Sequence, residues 1–319
     1  MKIITHEAIM DLHIEPLQCL NWVQTMLREK GHTVLKPKIS LKFNDNNFYN
    51  TMPAMLPGSN VFGVKEVSRY PDRFPSLDSQ ILLYDLKSGV LKALMDGNYI
   101  TTMRTGAVAA AAIQLLAKKD FYEIGMIGLG NTARATMKVL LAMYPNREFH
   151  VKLKKYKDQH EEFVHVFAPQ APHVKFSFSD SYEDVVCGSD VVISSVTFAE
   201  KNFCPDNCYQ PGCLVVPIHT RGFQNCDLFF DKVFADDRGH VEGFQYFDKF
   251  KQFAELSDVI TGRSPGRTSD NERILSYNIG IAIHDIYFAE KIYELETQQS
   301  DVKNLQVELN HLKDKFWVK

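Results

Sequence analysis

The residues best placed to do chemistry form the run Gly128-Leu129-Gly130-Asn131-Thr132-Ala133, which is G-x-G-x-x-A. It follows an apolar stretch with Ile124, Met126 and Ile127 and opens a segment of helical spacing from Thr132 to about Met143. That is the strand–turn–helix setting of a dinucleotide-binding turn. Gly128 allows the tight turn, Gly130 lets backbone approach a pyrophosphate, and Ala133 keeps the helix close to the strand. Free N–H groups at the helix start suit phosphate. Without a ligand the same glycines would be an ordinary αβ turn, but the later strands favour a cofactor.

The next expected strand, Phe149–Leu153, runs into Lys154, Lys155 and Lys157 with no Asp or Glu at its end. An acidic residue there would hold the ribose 2′-OH of NAD, whereas lysines suit a 2′-phosphate. NAD(P) is therefore expected, with NADP(H) favoured; the plain alternative is a solvated basic loop. A small carboxylate substrate would need cations aimed at it. Lys36, Lys38, Lys65, Arg69, Arg73 and Arg104 are the candidates. Arg104 opens an apolar, alanine-rich helix expected to be capped by Thr101 or Thr102, where a cation opposes the helix dipole. An anion would offset that; the alternative is a surface arginine.

These residues need a frame. Glu15–Lys30 reads as an amphipathic helix, and Lys38–Phe43, Val61–Ser68, Gln80–Tyr84 and Val90–Met95 as alternating segments. From about residue 101 the rhythm becomes helix–strand. Apolar strands are expected at Tyr122–Ile127, Phe149–Leu153, Val174–Phe178, Asp190–Val196, Cys213–Ile218 and Lys232–Ala235. Uniformly apolar strands alternating with helices predict a parallel sheet covered on both faces. A helix is expected over Asp270–Leu295, and another over Asp301–Lys319 from Val302, Leu305, Leu309, Leu312 and Phe316. The fold class is α/β: a doubly wound Rossmann-type sheet over 118–274, plus a discontinuous α+β domain for substrate and dimerisation over 1–117, completed by 275–319.

Composition narrows the function class. With 36 basic against 39 acidic residues there is no global field for a polyanion, so nucleic acid is not expected as a partner. The start lacks an apolar leader core, and the most apolar stretch, Gly106–Ala117, is too short to span a bilayer; a cytoplasmic protein without membrane contact is expected. Six cysteines are too sparse for a disulfide scaffold and fit a reducing compartment. Cys204, Cys208 and Cys213 are clustered with His219 nearby, but C-x3-C-x4-C lacks a tight pair, so no metal site is expected.

Ser79–Leu86, Gly89, Ala93–Gly97, Ile100-Thr101 and Arg104-Thr105-Gly106-Ala107 together resemble the signature of the ornithine cyclodeaminase/mu-crystallin family. Val64–Val67, Gly125 with Gly128–Gly130, and Gly262, Gly266-Arg267, Asn278–Ala282 and Asp285 agree with it. The resemblance implies a homodimer and hydride exchange with NAD(P) at the amino or imino carbon of a small acid. Activities in the family include ornithine and lysine cyclodeaminase, alanine dehydrogenase, ketimine reductase and opine-type synthases. It further implies that Lys38 (in place of the family's arginine), Lys65 and Arg104 hold the substrate carboxylate. Lys65 would also polarise the imine or a water. Thr105 and Gly106 would touch the cofactor, Asn131, Thr132 and Ala133 would lie on its phosphate loop, and Ser195, Val196 and Thr197 would touch its nicotinamide half.

One position departs from the family. Ornithine cyclodeaminases place a catalytic Asp after the fifth strand; here the stretch is Pro217-Ile218-His219-Thr220-Arg221-Gly222-Phe223-Gln224-Asn225. His219 either takes over acid/base work, as a group titrating near neutrality, or is a structural histidine. Arg221 could bind a second carboxylate. The expected activity is that of an amino-acid dehydrogenase, ketimine reductase or opine-type enzyme. Ornithine cyclodeaminase proper and a non-catalytic NADPH or small-ligand binder are the rivals.

Overall fold

The computed structural model describes residues 1–44, 47–197, 199–298 and 305–307. The chain opens with β1 (Lys2–Ile4), α1 (His6–Asp11) and α2 (Pro16–Glu29). Strands β2 (Val34–Leu35), β3 (Ile39–Lys42), β4 (Phe48–Leu56), β5 (Val61–Arg69), β6 (Leu77–Asp85) and β7 (Leu91–Asp96) lead to α3 (Asn98–Leu116). Then follow β8 (Glu123–Ile127), α4 (Asn131–Met143), β9 (Phe149–Lys154), α5 (Gln159–Phe167), β10 (Val174–Ser179), α6 (Tyr182–Val186), β11 (Val191–Ser194) and β12 (Leu214–Pro217). The remainder comprises α7 (Cys226–Phe229), β13 (Lys232–Ala235), β14 (Phe253–Glu255), α8 (Leu256–Ile260), β15 (Ile274–Tyr277), α9 (Ala282–Gln298) and β16 (Leu305–Gln306).

Two units result. The first comprises residues 1–13, 32–100 and 285–319; the second comprises 14–31 and 101–284. The expected first domain held α2, which instead counts with the second unit, where it lies against α4 and α8. Its buried stripe, Leu20, Val23 and Leu27, explains the docking.

The first unit is a mixed sheet in the order β16-β1-β7-β6-β5-β4-β2, with β3 also paired to β4. Strands β4 to β7 form an antiparallel meander, and β1 runs parallel to β7. Along β5 every second residue is buried, so Val61, Gly63, Lys65 and Val67 share one face. Gly63 belongs there because a Cβ would run into the Leu82 carbonyl and the Ile286 side chain of α9. β4 tolerates Pro53 because that residue falls between the ladder to β3, which ends at Thr51, and the ladder to β2, which begins at Ala54.

The second unit is an all-parallel sheet, order β10-β9-β8-β11-β12-β15-β13-β14. Strands after β8 run outward one way through β9 and β10, and the other way from β11, so the switch point lies between β8 and β11. This is the Rossmann-type arrangement read from the apolar strands. Gly106 of α3 is required by close packing, since a Cβ would strike Ala135 and Thr136 of α4.

Three expectations are corrected. Ile274–Tyr277 is not helical: all four residues are buried as β15, between β12 and β13. A short apolar run does not by itself distinguish a central strand from a helix. α3 begins at Asn98, not at Thr101 or Thr102, so Arg104 lies in its second turn and the dipole argument for it lapses. Of the expected terminal helix, Leu305 and Gln306 pair antiparallel with β1, and the rest lies outside the described residues.

Candidate active site

In the second unit, Gly128 and Gly130 play separate parts at the end of β8. Gly128 has φ +78°, and a Cβ on it would press on the backbone of Ser195 and Val196 after β11. The two strand ends at the switch point therefore close on one another, and Ser195 N–H donates to the Ile127 carbonyl at 2.8 Å. Gly130 differs: its φ is −73° and nothing lies within 4 Å of a Cβ placed there. Space does not demand a glycine there, and the bare backbone leaves room for a group approaching from outside. Gly130 caps α4 without a side-chain hydrogen bond, and Asn131 and Gly130 are exposed. Ala133 is fully buried against the sheet. The site thus fits a dinucleotide pyrophosphate at the start of α4. Ser195 Oγ is buried with no hydrogen-bond partner among the described residues, and Thr197 beyond it is exposed. Thr105 is buried and its hydroxyl donates to the Thr101 carbonyl at 2.6 Å.

The lysines after β9 already have contacts. Lys154 Nζ donates to the Lys155 carbonyl at 2.9 Å and lies 4.9 Å from the Tyr182 ring centre. Lys155 pairs with the exposed Asp180 at 3.3 Å. Such a surface pair is weak and exchangeable.

His219, just past β12, meets Ser194 Oγ at the end of β11, Nε2 to Oγ 2.7 Å. Phe203 and Phe223 flank its ring, each with centroids 6.2 Å away. Burial among these rings pushes its pKa down to about 4. The expected titration near neutrality is therefore corrected: at pH 7 this histidine is neutral. Arg221, two residues on, is exposed.

Arg104 is 4% exposed. Its guanidinium lies close against Gly280, where any Cβ would collide with it. Gly280 has φ +93° and donates its N–H to the buried Asp236 carboxylate. Sequence reasoning singled out neither Asp236 nor the Gly280 contact. Gly280 belonged to a recognised motif, but nothing in sequence ties residue 236 to residue 280.

In the first unit, Lys65 and Asp285 form a buried ion pair, Nζ to Oδ1 2.8 Å, with side chains 1% and 0% exposed. Met52 and Ile81 flank Lys65 on the neighbouring strands. Asp285 is the residue most clearly missed: it stood in the closing motif without an assigned role. Lys38, just before β3, is half-buried.

Among the described residues no group of three or more His, Cys, Asp and Glu could hold a metal ion. Cys187 and Cys208, read as members of a reduced set, are joined as a disulfide, Cα atoms 4.4 Å apart. Cys204 and Cys213 are buried thiols whose pKa desolvation pushes up to about 12; neither is poised as a nucleophile.

Comparison with known proteins gives three findings. The model of the ornithine cyclodeaminase/mu-crystallin family matches residues 2–300. Among relatives, nodulation efficiency protein NfeD of Rhizobium meliloti is 27% identical over 293 residues, covering 88% of this chain and 90% of that one. N-((2S)-2-amino-2-carboxyethyl)-L-glutamate dehydrogenase of Staphylococcus aureus is 27% identical over 271 residues, 78% of this chain and 79% of that one. Among solved structures, Δ1-pyrroline-2-carboxylate reductase of Thermococcus litoralis, in complex with NADH and L-proline, superposes with TM-score 0.84 at 24% identity, covering 96% of this chain and 100% of that one.

Proposed function

The chain belongs to the ornithine cyclodeaminase/mu-crystallin family, and on that premise we propose that it reduces a small α-imino acid to the amino acid with a nicotinamide dinucleotide. One observation carries this choice among family activities. The loop after β12, from Ile218 to Asn225, has no Asp or Glu, and its histidine is held neutral by burial and bonded to Ser194. Cyclodeamination of ornithine needs an anion for the distal ammonium and a base for the amine. Reduction of an imine needs neither.

The bound cofactor supplies the hydride. Gly128, Gly130, Asn131, Thr132 and Ala133 seat its pyrophosphate at α4, and Thr105, Ser195, Val196 and Thr197 line its path. Lys38, Lys65 and Arg104 neutralise the substrate carboxylate. Lys65, ion-paired with the buried Asp285, would also polarise the imine or a water. Fixing the imine carbon at hydride distance is the protein's main contribution. Arg221, exposed two residues beyond His219, would meet a second carboxylate on a larger substrate, as in an opine-type reaction. NADP(H) is favoured because Phe149–Lys157 has no acidic residue and ends in Lys154, Lys155 and Lys157.

The protein works as a homodimer. The outer face of the first sheet, half-exposed, carries Phe62 stacked on Tyr84 with centroids 4.7 Å apart, and Val64, Leu82 and Leu94. Contiguous apolar surface of that kind marks an interface. Light scattering at micromolar concentration should return twice 36.5 kDa; a monomer would refute the assignment. The activity is tested with Δ1-pyrroline-2-carboxylate, with L-ornithine as comparator. Proline formed from ornithine without net change in reduced cofactor would overturn the choice of reduction.

A further inference from the structure

Asp236 lies directly after β13, at the carboxyl edge of the parallel sheet, and is fully buried. Its backbone is fixed: the N–H donates to the Tyr277 carbonyl at 3.1 Å, and its carbonyl accepts from Lys30 Nζ at 2.9 Å. Its side chain does one visible thing. Oδ2 accepts the Gly280 N–H, while Oδ1 has no hydrogen-bond partner among the described residues. Gly280 is in the left-handed region at φ +93° and supports the Arg104 guanidinium where any Cβ would collide. The same turn is tied to the sheet at Asn278, whose N–H donates to the Pro217 carbonyl at 3.0 Å.

We propose that Asp236 is a positioning residue for Arg104: by holding the Gly280 amide it sets the turn whose bare backbone fixes the plane of the guanidinium. This rests on the reading of Arg104 as a carboxylate-binding residue. A guanidinium accepts a carboxylate in a bidentate way only if its plane is set, so small rotations cost affinity. The charges facing Asp236 are His240, Lys30 and Arg104. Lys30 is also held by Asp237 and Glu255 at 2.7 Å each. Asp236 is thus tied to Lys30 through its backbone carbonyl and to the turn through the Gly280 amide.

The test uses the full-length protein loaded with NADPH. Calorimetry follows binding of pyrrole-2-carboxylate, a planar acid that cannot be reduced, and steady-state kinetics follow Δ1-pyrroline-2-carboxylate. Arg104→Leu comes first. Asp236→Ala should then weaken pyrrole-2-carboxylate and raise KM at least tenfold, with NADPH affinity within twofold of wild type. Asp236→Asn keeps an oxygen for the Gly280 amide and should recover to within about threefold of wild type, a rescue that loss of general packing would not predict. If Asp236→Ala fails to fold, Gly280→Ala displaces the guanidinium directly and should give the same split. If Arg104→Leu changes neither carboxylate measurement, the site reading fails and this inference with it. If Arg104→Leu weakens the acid but Asp236→Ala, or Gly280→Ala in its place, does not, or weakens NADPH equally, the inference alone is overturned.

Discussion

Gly130→Ala separates a glycine kept for the fold from one kept for a ligand. At φ −73° and ψ −170° alanine is unstrained, and its methyl group would meet no atom within 4 Å. Two small effects act on stability. Alanine is the poorer N-cap, at a cost of roughly 0.5–1 kcal/mol. It also lowers the entropy of the unfolded chain, which contributes roughly 0.4–1 kcal/mol the other way. The net change should stay within about 1 kcal/mol, a shift in Tm of about 2–4 °C at most. Affinity should respond more. A methyl group between the backbone and a closely seated pyrophosphate overpacks the contact by roughly 1–3 kcal/mol. That corresponds to a roughly 5- to 150-fold rise in Kd for NADPH. Fluorescence titration gives the Kd and thermal denaturation without ligand gives the Tm. Gly128→Ala is the contrast: φ +78° and the Ser195–Val196 backbone mean that NADPH affinity and Tm should both fall. A Gly130→Ala protein that binds NADPH as tightly as wild type would refute a pyrophosphate lying against this turn.

Other outcomes can be checked in parallel. Asp285→Asn leaves the buried Lys65 ammonium without its counter-charge, so urea unfolding should show a loss of about 3–5 kcal/mol; Lys65→Met with Asp285→Leu together should cost much less. Asp227, bonded to the Tyr277 hydroxyl at 2.8 Å, has its pKa raised by burial to about 7. The folded state then holds a proton that the unfolded state has released, so this group makes stability fall as pH rises from about 4 to 7. His219 acts in the opposite sense: its folded pKa of about 4 lies below its unfolded value, so its contribution grows as pH rises from about 4 to 6.5. Asp227→Asn should therefore make the stability profile steeper upward over that window, and His219→Gln steeper downward. Profiles unchanged by both would remove these assignments. Lys155→Ala should weaken NADPH several-fold more than NADH; equal effects would refute a 2′-phosphate contact.

How much of this was legible in the sequence depends on the range of the interactions. The turn at Gly128–Gly130 was readable because strand, glycines and helix are contiguous, and the buried parallel strands announced themselves by composition. β4 was not announced, since Asn50 and Pro53 interrupt its pattern and only the pairing with β2, β3 and β5 makes it a strand. β15 was taken for helix because its short run, Ile274, Leu275, Ser276 and Tyr277, leads into a long helical segment. Lys65 and Arg104 stood among the candidate cations and were given a role by resemblance, but their settings were not legible. Asp285 is 220 residues from Lys65, and Gly280 and Asp236 are brought to Arg104 by sheet order alone. The two readings of His219 could not be separated for the same reason: Phe203 and Phe223, which flank its ring, become neighbours only in the fold.

Absorbance at 340 nm tests the central claim most directly. Wild-type protein with NADPH and Δ1-pyrroline-2-carboxylate should consume reduced cofactor in proportion to proline formed, and Arg104→Leu should do so only at much higher substrate concentration. Cofactor that binds yet is never oxidised, with this imine or with pyruvate plus ammonia or methylamine, would contradict the account and leave a binding protein in its place.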